Sequence, residues 1–213
     1  MVEVKNIETH FPKNLKENDF ENRDDFLQNI SVTFDIKGNG VFMPEFQRYE
    51  KRSNCGLIMS QSTMHSMEKF MSSDYDPFTK YVDNVTKEHI KVLYNQWTAA
   101  KENLANFSKE NPNETKTIEN LRFDVYEAFE RLVHNLPRGL ELWATATSNY
   151  LQLKTIVIQR SKHKNQEDWG AFIDFCFKLP RFRELCGFES SDWDLEKNFP
   201  FYKSVSYNKI NNG

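Results

Sequence analysis

The stretch from Leu136 to Trp169, LPRGLELWATATSNYLQLKTIVIQRSKHKNQEDW, constrains the fold more than any other. It opens on the breaker Pro137-Arg138-Gly139 and passes through a Leu-, Trp- and Thr-rich segment that suits a strand or a broken helical turn. Ser148 offers a side-chain oxygen to an otherwise orphaned backbone N–H, so it is the expected N-cap of a helix from Asn149 to about Lys162. Apolar residues at 151, 153, 156, 157 and 158 cover much of that helix's circumference, which predicts burial in the interior. Asn149 and Arg160 project from nearly the same azimuth, about 16 Å apart along the axis, with Ile156 between them and His163 continuing the stripe. A guanidinium in apolar surroundings must find an anion or several acceptors, because an unpaired buried charge costs several kcal/mol. Arg160 therefore implies a partner, either a local Asp or Glu at the end of a core helix or a bound ligand.

The chain has 213 residues, enough for one large domain or two small ones with a substantial core. A net charge of −3 and a pI near 6.0 lack the basic excess that binding to a phosphate backbone demands, so no nucleic-acid partner is expected. With 18 Phe, 8 Tyr and 4 Trp, the sequence has the aromatic content of a packed domain rather than a disordered one. No apolar signal core and no run of about 20 apolar residues is present, which predicts a cytoplasmic protein without a membrane partner. Cys55, Cys176 and Cys186 have no CxxC spacing, and the histidines at 10, 65, 89, 134 and 163 are scattered. Free thiols and no metal site are expected, with Cys176 in the core.

In chain order, Val2 to Ile7 suits a short strand, and ENDFENRDDF reads as a solvated helix or loop. ISVTFDIK, Ile30 to Lys37, alternates apolar and polar residues and is rich in β-branched side chains, the pattern of a half-buried strand. Lys37-Gly38-Asn39-Gly40 signals a turn, and Pro44 fits only the first turn of a short helix continuing through Glu45 to Lys51. Arg48, Lys51 and Arg52 lie close in sequence to Ser53, Ser60, Ser62, Thr63 and His65, a grouping that suits either a phosphate cradle or a capped helix start. Thr86 to about Lys109, with Thr86 as cap, and Ile118 to His134 read as two amphipathic helices forming an antiparallel pair with solvated outer faces. Trp169 to Leu179 is a further amphipathic helix closed by Pro180, and the tail from Arg181 has little periodicity.

Two of these blocks together carry a family resemblance. VTFDIKGNGVFMPEFQRYEKRS, followed about eighty residues later by NLPRGLELWATATSNYLQLKTIVIQRSKH, resembles the flavin-dependent thymidylate synthases, particularly a divergent bacterial and phage branch. The similarity spans roughly residues 30 to 180, in matching order. In the first block the family's Arg-His-Arg positions fall on Arg48, Tyr49 and Glu50, so only the first arginine is kept. The motif serine falls on Ser53, while the Asn, Ser and Arg expected beyond it meet Cys55, Ile58 and Ser60. Tyr49, Lys51 and Ser62-Thr63-Met64-His65 match the divergent branch instead. In the second block Leu136-Pro137 matches the family's Leu-Pro, Asn149 its flavin-contacting asparagine and Arg160 the arginine that holds the pyrimidine ring. The nucleotide-contacting arginine upstream of Leu-Pro lands on Val133, with Arg131 or His134 as substitutes.

The resemblance implies an α/β (α+β) fold, a single domain over residues 1 to 213 with a central sheet, packed helices and a long buried helix. It implies reductive methylation of dUMP to dTMP, with FAD as cofactor, methylenetetrahydrofolate and NADPH as co-substrates, and a homotetramer whose sites draw on several subunits. Arg160 then stabilises charge on the uracil ring, with Ser62, Thr63 and Arg131 on the nucleotide and Asn149, Arg48, Ser53 and His65 on the flavin. Two alternatives stay open: a different C5 modification, such as hydroxymethylation, and a relative that binds a nucleotide or serves as a scaffold without catalysis.

Overall fold

The protein is described by a computed structural model covering residues 1–13, 24–49, 76–194 and 197. Its packing divides into two compact units, one drawn from Met1–Gln61 and Leu142–Gly213, the other from Ser62–Glu141. It mixes helices with one small sheet, consistent with an α+β class.

The first unit is built on a three-stranded sheet in the order β1 (Glu3–His10), β2 (Ser31–Asn39), β3 (Glu141–Asn149), the last strand's first residue belonging to the second unit. β2 shows why the alternating pattern matters. Val32, Phe34 and Ile36 point to one side and are fully buried, while Thr33, Asp35 and Lys37 face the other and stay partly exposed. β1 runs antiparallel to β2, pairing Glu3 with Lys37 and His10 with Ser31, with a register shift between Lys5 and Glu8 where Asn6 takes a positive φ of 50°. On β3, Thr147 Oγ1 lies 3.2 Å from Thr33 Oγ1, and Thr145 donates to Asp35 at 2.6 Å. Partner numbers fall along β3 as they rise along β2, so this pair is antiparallel too. The segment that suited a strand or a broken helical turn is thus a strand.

Strand β2 extends into the expected turn signal, as far as Asn39, and feeds α1 (Phe42–Gln47). That helix begins earlier and ends earlier than Glu45 to Lys51, with Pro44 in its first turn, where a missing N–H costs nothing. Asn39 makes the junction. Its side-chain oxygen accepts the backbone N–H of Val41 at 2.9 Å and of Phe42 at 3.0 Å, and its amide donates to the buried Asp168 at 2.8 Å. Gly38 is required by the close approach of the helix, since a Cβ there would lie 2.7 Å from the Phe42 ring and 2.8 Å from the Met43 sulfur.

β3 leads directly into α4 (Tyr150–Arg160), followed by α5 (Gln166–Lys178) and α6 (Phe182–Cys186). The N-cap of α4 is Asn149, not Ser148: the Asn149 side chain accepts from Gln152 N at 2.9 Å, while Ser148 Oγ donates to the Gln152 side chain at 2.7 Å. α4 is also less enclosed than its composition suggests. Tyr150, Leu153, Ile156 and Val157 are buried, but Ile158 is 49% exposed, so the helix has one inner face rather than a buried circumference. The deeply buried helix is α5, with eight residues from Asp168 to Cys176 enclosed, because Phe172, Phe175 and Trp169 interlock with Phe34, Phe42 and Phe46. Tyr150 packs edge-on against Phe182 and donates to Pro180 O at 2.6 Å, which fixes the chain after α5.

The second unit is dominated by α2 (Asn84–Glu110) and α3 (Thr115–His134), two helices joined by a four-residue turn. The N-cap of α2 is Asp83, three residues before the expected Thr86, whose backbone N–H it accepts at 2.7 Å. The pair closes on Ile90, Leu93 and Leu132, with Trp97 and Phe129 rings 5.6 Å apart. No described helix is long and apolar enough to cross a membrane. Asn39→Ala removes the acceptor for two backbone N–H groups and one donor from Asp168, and should lower stability by about 2 kcal/mol, read as a shift of the urea midpoint.

Candidate functional site

The site forms where α1, α4 and α5 meet, and a carboxylate lies at its centre. Glu45 Oε2 accepts from Arg160 Nη1 at 3.1 Å and from Trp169 Nε1 at 3.0 Å, and His163 Nε2 stands 3.5 Å away. The partner that Arg160 requires is therefore an acid of the chain, 115 residues distant in sequence rather than local to the helix. Arg160 also donates through Nε to the Tyr49 hydroxyl at 2.8 Å, and the Tyr49 hydroxyl donates in turn to Gln159 Oε1 at 3.0 Å. The guanidinium carbon lies 4.4 Å from the Trp169 ring centroid and 5.3 Å from that of Tyr49. A flat delocalised cation suits such aromatic surfaces, which stabilise it where water is scarce. The side chains of Arg160 and Glu45 are 15% and 26% exposed, so the pair borders solvent rather than lying sealed in the core. Arg160 Nη2 makes no hydrogen bond to any described residue.

His163 lies beyond the end of α4, where its Nδ1 accepts the backbone N–H of Asn165 at 3.1 Å. With Nδ1 used as an acceptor, the neutral ring carries its proton on Nε2, toward Glu45. Burial pushes the His163 pKa down, opposed by Glu45 and reinforced by the positive charge of Arg160. Behind this group Asp168 is held by Asn39 and by Asn165, whose amide donates at 2.9 Å, so α5 is tied to the α1 junction at the same level.

The remaining candidates are placed unevenly. Asn149 is not on the helical stripe with Arg160; it is extended, at φ −132° and ψ 166°, and uses its side-chain oxygen Oδ1 to cap α4. Arg48 is exposed at the C-cap of α1, beside Tyr49. Arg131 is exposed in the last turn of α3, in the second unit. Ser53, Ser62, Thr63 and His65 lie outside the described residues, as does Cys55. Among the described residues no group of three His, Cys, Asp or Glu side chains is arranged to hold a metal. Burial pushes the thiol pKa of Cys186 up to about 12 and that of Cys176 well above its usual value, so neither is a thiolate nucleophile at neutral pH.

Glu45, Gln152 and Trp169 were not among the residues expected to form a site. The one available signal for Glu45 was its position as the lone acid among apolar neighbours in FMPEF, where Phe42, Met43 and Phe46 are buried. Nothing in that pattern names its partner.

Neither a family model nor a curated protein sequence matches the chain. Among solved structures the chain is similar to thymidylate synthase X from Helicobacter pylori, crystallised with FAD and dUMP, at a TM-score of 0.42 and 15% identity, over 76% of this chain and 73% of that one. That likeness is loose, and the site stands on its own geometry.

The lowered His163 pKa has a direct consequence for stability. Above about pH 6.5 the ring is neutral in folded and unfolded chains and contributes no pH dependence. As pH falls below that value the unfolded chain takes up the proton first, so stability drops until the folded pKa is passed. Urea unfolding between about pH 5 and about pH 7 should show this loss in the wild-type chain and a smaller one in His163→Gln. Equal slopes in both would contradict the assignment.

Proposed function

We propose that this chain handles a pyrimidine nucleotide at the Arg160 site and, in the finer reading, catalyses FAD-dependent reductive methylation of dUMP to dTMP with methylenetetrahydrofolate and NADPH. The observation that supports it most is that the two sequence blocks resembling flavin-dependent thymidylate synthases are neighbours in space. Tyr49 from the first block accepts from Gln152 through its carbonyl at 2.7 Å, donates to Gln159 and accepts from Arg160, all in the second. Thr33 and Asp35 meet Thr147 and Thr145 in the same way. Within this reading Arg160 presents Nη2 to a uracil carbonyl, where a fixed donor favours charge developing on the ring. The aromatic surfaces and the Tyr49 hydroxyl hold the guanidinium in one orientation, so little reorganisation accompanies that charge. FAD, when bound, would supply the hydride chemistry. Its binding would be shared among Asn149, Arg48, Ser53 and His65, with Ser62, Thr63 and Arg131 on the nucleotide. The working form in this reading is a homotetramer.

A second reading has its own support. Arg160 is already neutralised by Glu45, which is the pairing expected of a relative that keeps the junction for packing and binds a nucleotide, or serves as a scaffold, without catalysis. Absorbance separates the two. Purified chain that is yellow, or becomes so with added FAD, and converts dUMP to dTMP with methylenetetrahydrofolate and NADPH supports the enzyme. Colourless protein that takes up no FAD and turns over no dUMP supports the scaffold, and a product other than dTMP overturns the methylation.

The capping role of Asn149 dictates how it should be tested. Asn149→Ser keeps a capping oxygen and removes the amide, so stability should change by only a few tenths of a kcal/mol. FAD affinity should nevertheless fall about tenfold, which corresponds to roughly 1.4 kcal/mol. Unchanged flavin absorbance on titration would confine Asn149 to its cap.

A further inference from the structure

Glu45 does more in the arrangement than balance a charge. Its carboxylate fixes both the charge and the orientation of Arg160, while Trp169 donates to the same oxygen and underlies the guanidinium. We propose that Glu45 is a specificity-determining positioning residue, which neutralises Arg160 and leaves its remaining edge to read a neutral carbonyl, such as that of a pyrimidine base, in preference to a phosphate or other anion. The inference rests on the reading of Arg160 as a nucleotide-facing group and names what that group selects.

Arginine recognises phosphate best as a fork, through two adjacent N–H groups with the full positive charge behind them. Here neither fork is intact. The edge made of Nε and Nη2 has given Nε to the Tyr49 hydroxyl at 2.8 Å. The end made of Nη1 and Nη2 has Glu45 Oε2 bound 3.1 Å from Nη1, so an anion there would sit beside a carboxylate. Like charges so placed repel, and the pair as a whole offers an incoming anion little net attraction. A neutral carbonyl suffers no such penalty. It needs one well-directed donor, and Nη2 is held in a fixed direction over Trp169, 15% of the side chain remaining exposed. His163 does not restore a positive field, because its Nδ1 accepts from Asn165 and burial keeps the ring neutral.

The test is calorimetric titration of the full chain with deoxyuridine, dUMP and inorganic phosphate. Wild-type chain should bind deoxyuridine, and phosphate should not displace it. Glu45→Gln should bind deoxyuridine about tenfold more weakly, since the guanidinium loses its anchor, and should gain about tenfold in phosphate affinity as the full charge is exposed. Glu45→Asp keeps the charge and should retain the wild-type order, which a role confined to packing would not require. If Glu45→Gln stays folded by circular dichroism and leaves both affinities unchanged, the role of Glu45 is overturned while the nucleotide reading stands on the wild-type titration. If wild-type chain binds neither deoxyuridine nor dUMP, the nucleotide reading itself is overturned and this inference with it. Should Glu45→Gln not fold, the wild-type competition decides: phosphate that displaces deoxyuridine overturns the proposal, and phosphate that leaves it bound sustains it.

Discussion

A single carboxylate oxygen, Glu45 Oε2, joins α1 to the consecutive helices α4 and α5, which follow it more than a hundred residues later in the chain. It binds Arg160 at the end of α4 and Trp169 near the start of α5, while its own backbone belongs to α1. Each hydrogen bond to a charged group contributes about 1.5 to 3 kcal/mol in favourable settings, and part of that is offset by taking both ions out of water. The net gain in stability is therefore modest. The gain in geometry is larger, because an ion pair with directed donors admits one arrangement of the three helices where apolar contact alone would tolerate several. The aromatic floor under Arg160 reinforces that choice by favouring a guanidinium lying flat.

The surrounding construction serves to bring α1 to that point. β2 buries Val32, Phe34 and Ile36 on one side, so its C-terminal end is fixed against the core. Gly38 lets Phe42 and Met43 approach the strand, and Asn39 turns the chain into α1 while holding Asp168 on α5. One short segment thus sets the position of α1 relative to α5 before Glu45 makes any bond. The price is a set of polar groups in a half-buried place, and each is satisfied: Asp168 by two asparagines, Tyr49 by Arg160 and Gln159, and Glu45 by arginine and tryptophan.

The function proposed for the site depends on whether that satisfied network has anything left to offer a ligand. A fully committed arginine is a structural element, and a bare one would be drawn to phosphate. Arg160 lies between these limits, with two nitrogens engaged and one without a partner among the described residues. The same bonds that argue for a packing role also hold the third nitrogen in a fixed direction, which is what recognition of a neutral ring substituent requires.

Local pattern and local chemistry made most of the elements legible. The alternation in ISVTFDIK marked β2, Pro44 placed the first turn of α1, and the helical stripes marked the pair in the second unit, since each signal depends only on neighbours a few residues away. The need of Arg160 for a partner was equally legible, because the cost of an unpaired charge follows from its surroundings alone. Which cap serves α4 was not, as Ser148 and Asn149 both offer an oxygen and only the backbone bend at the strand end decides between them. Nor was the most buried helix, which depends on which apolar face the sheet happens to meet. The choice of Glu45 as the acid belonged to the tertiary structure, because a contact across 115 residues has no local signature and arises only when β2, α4 and α5 have packed.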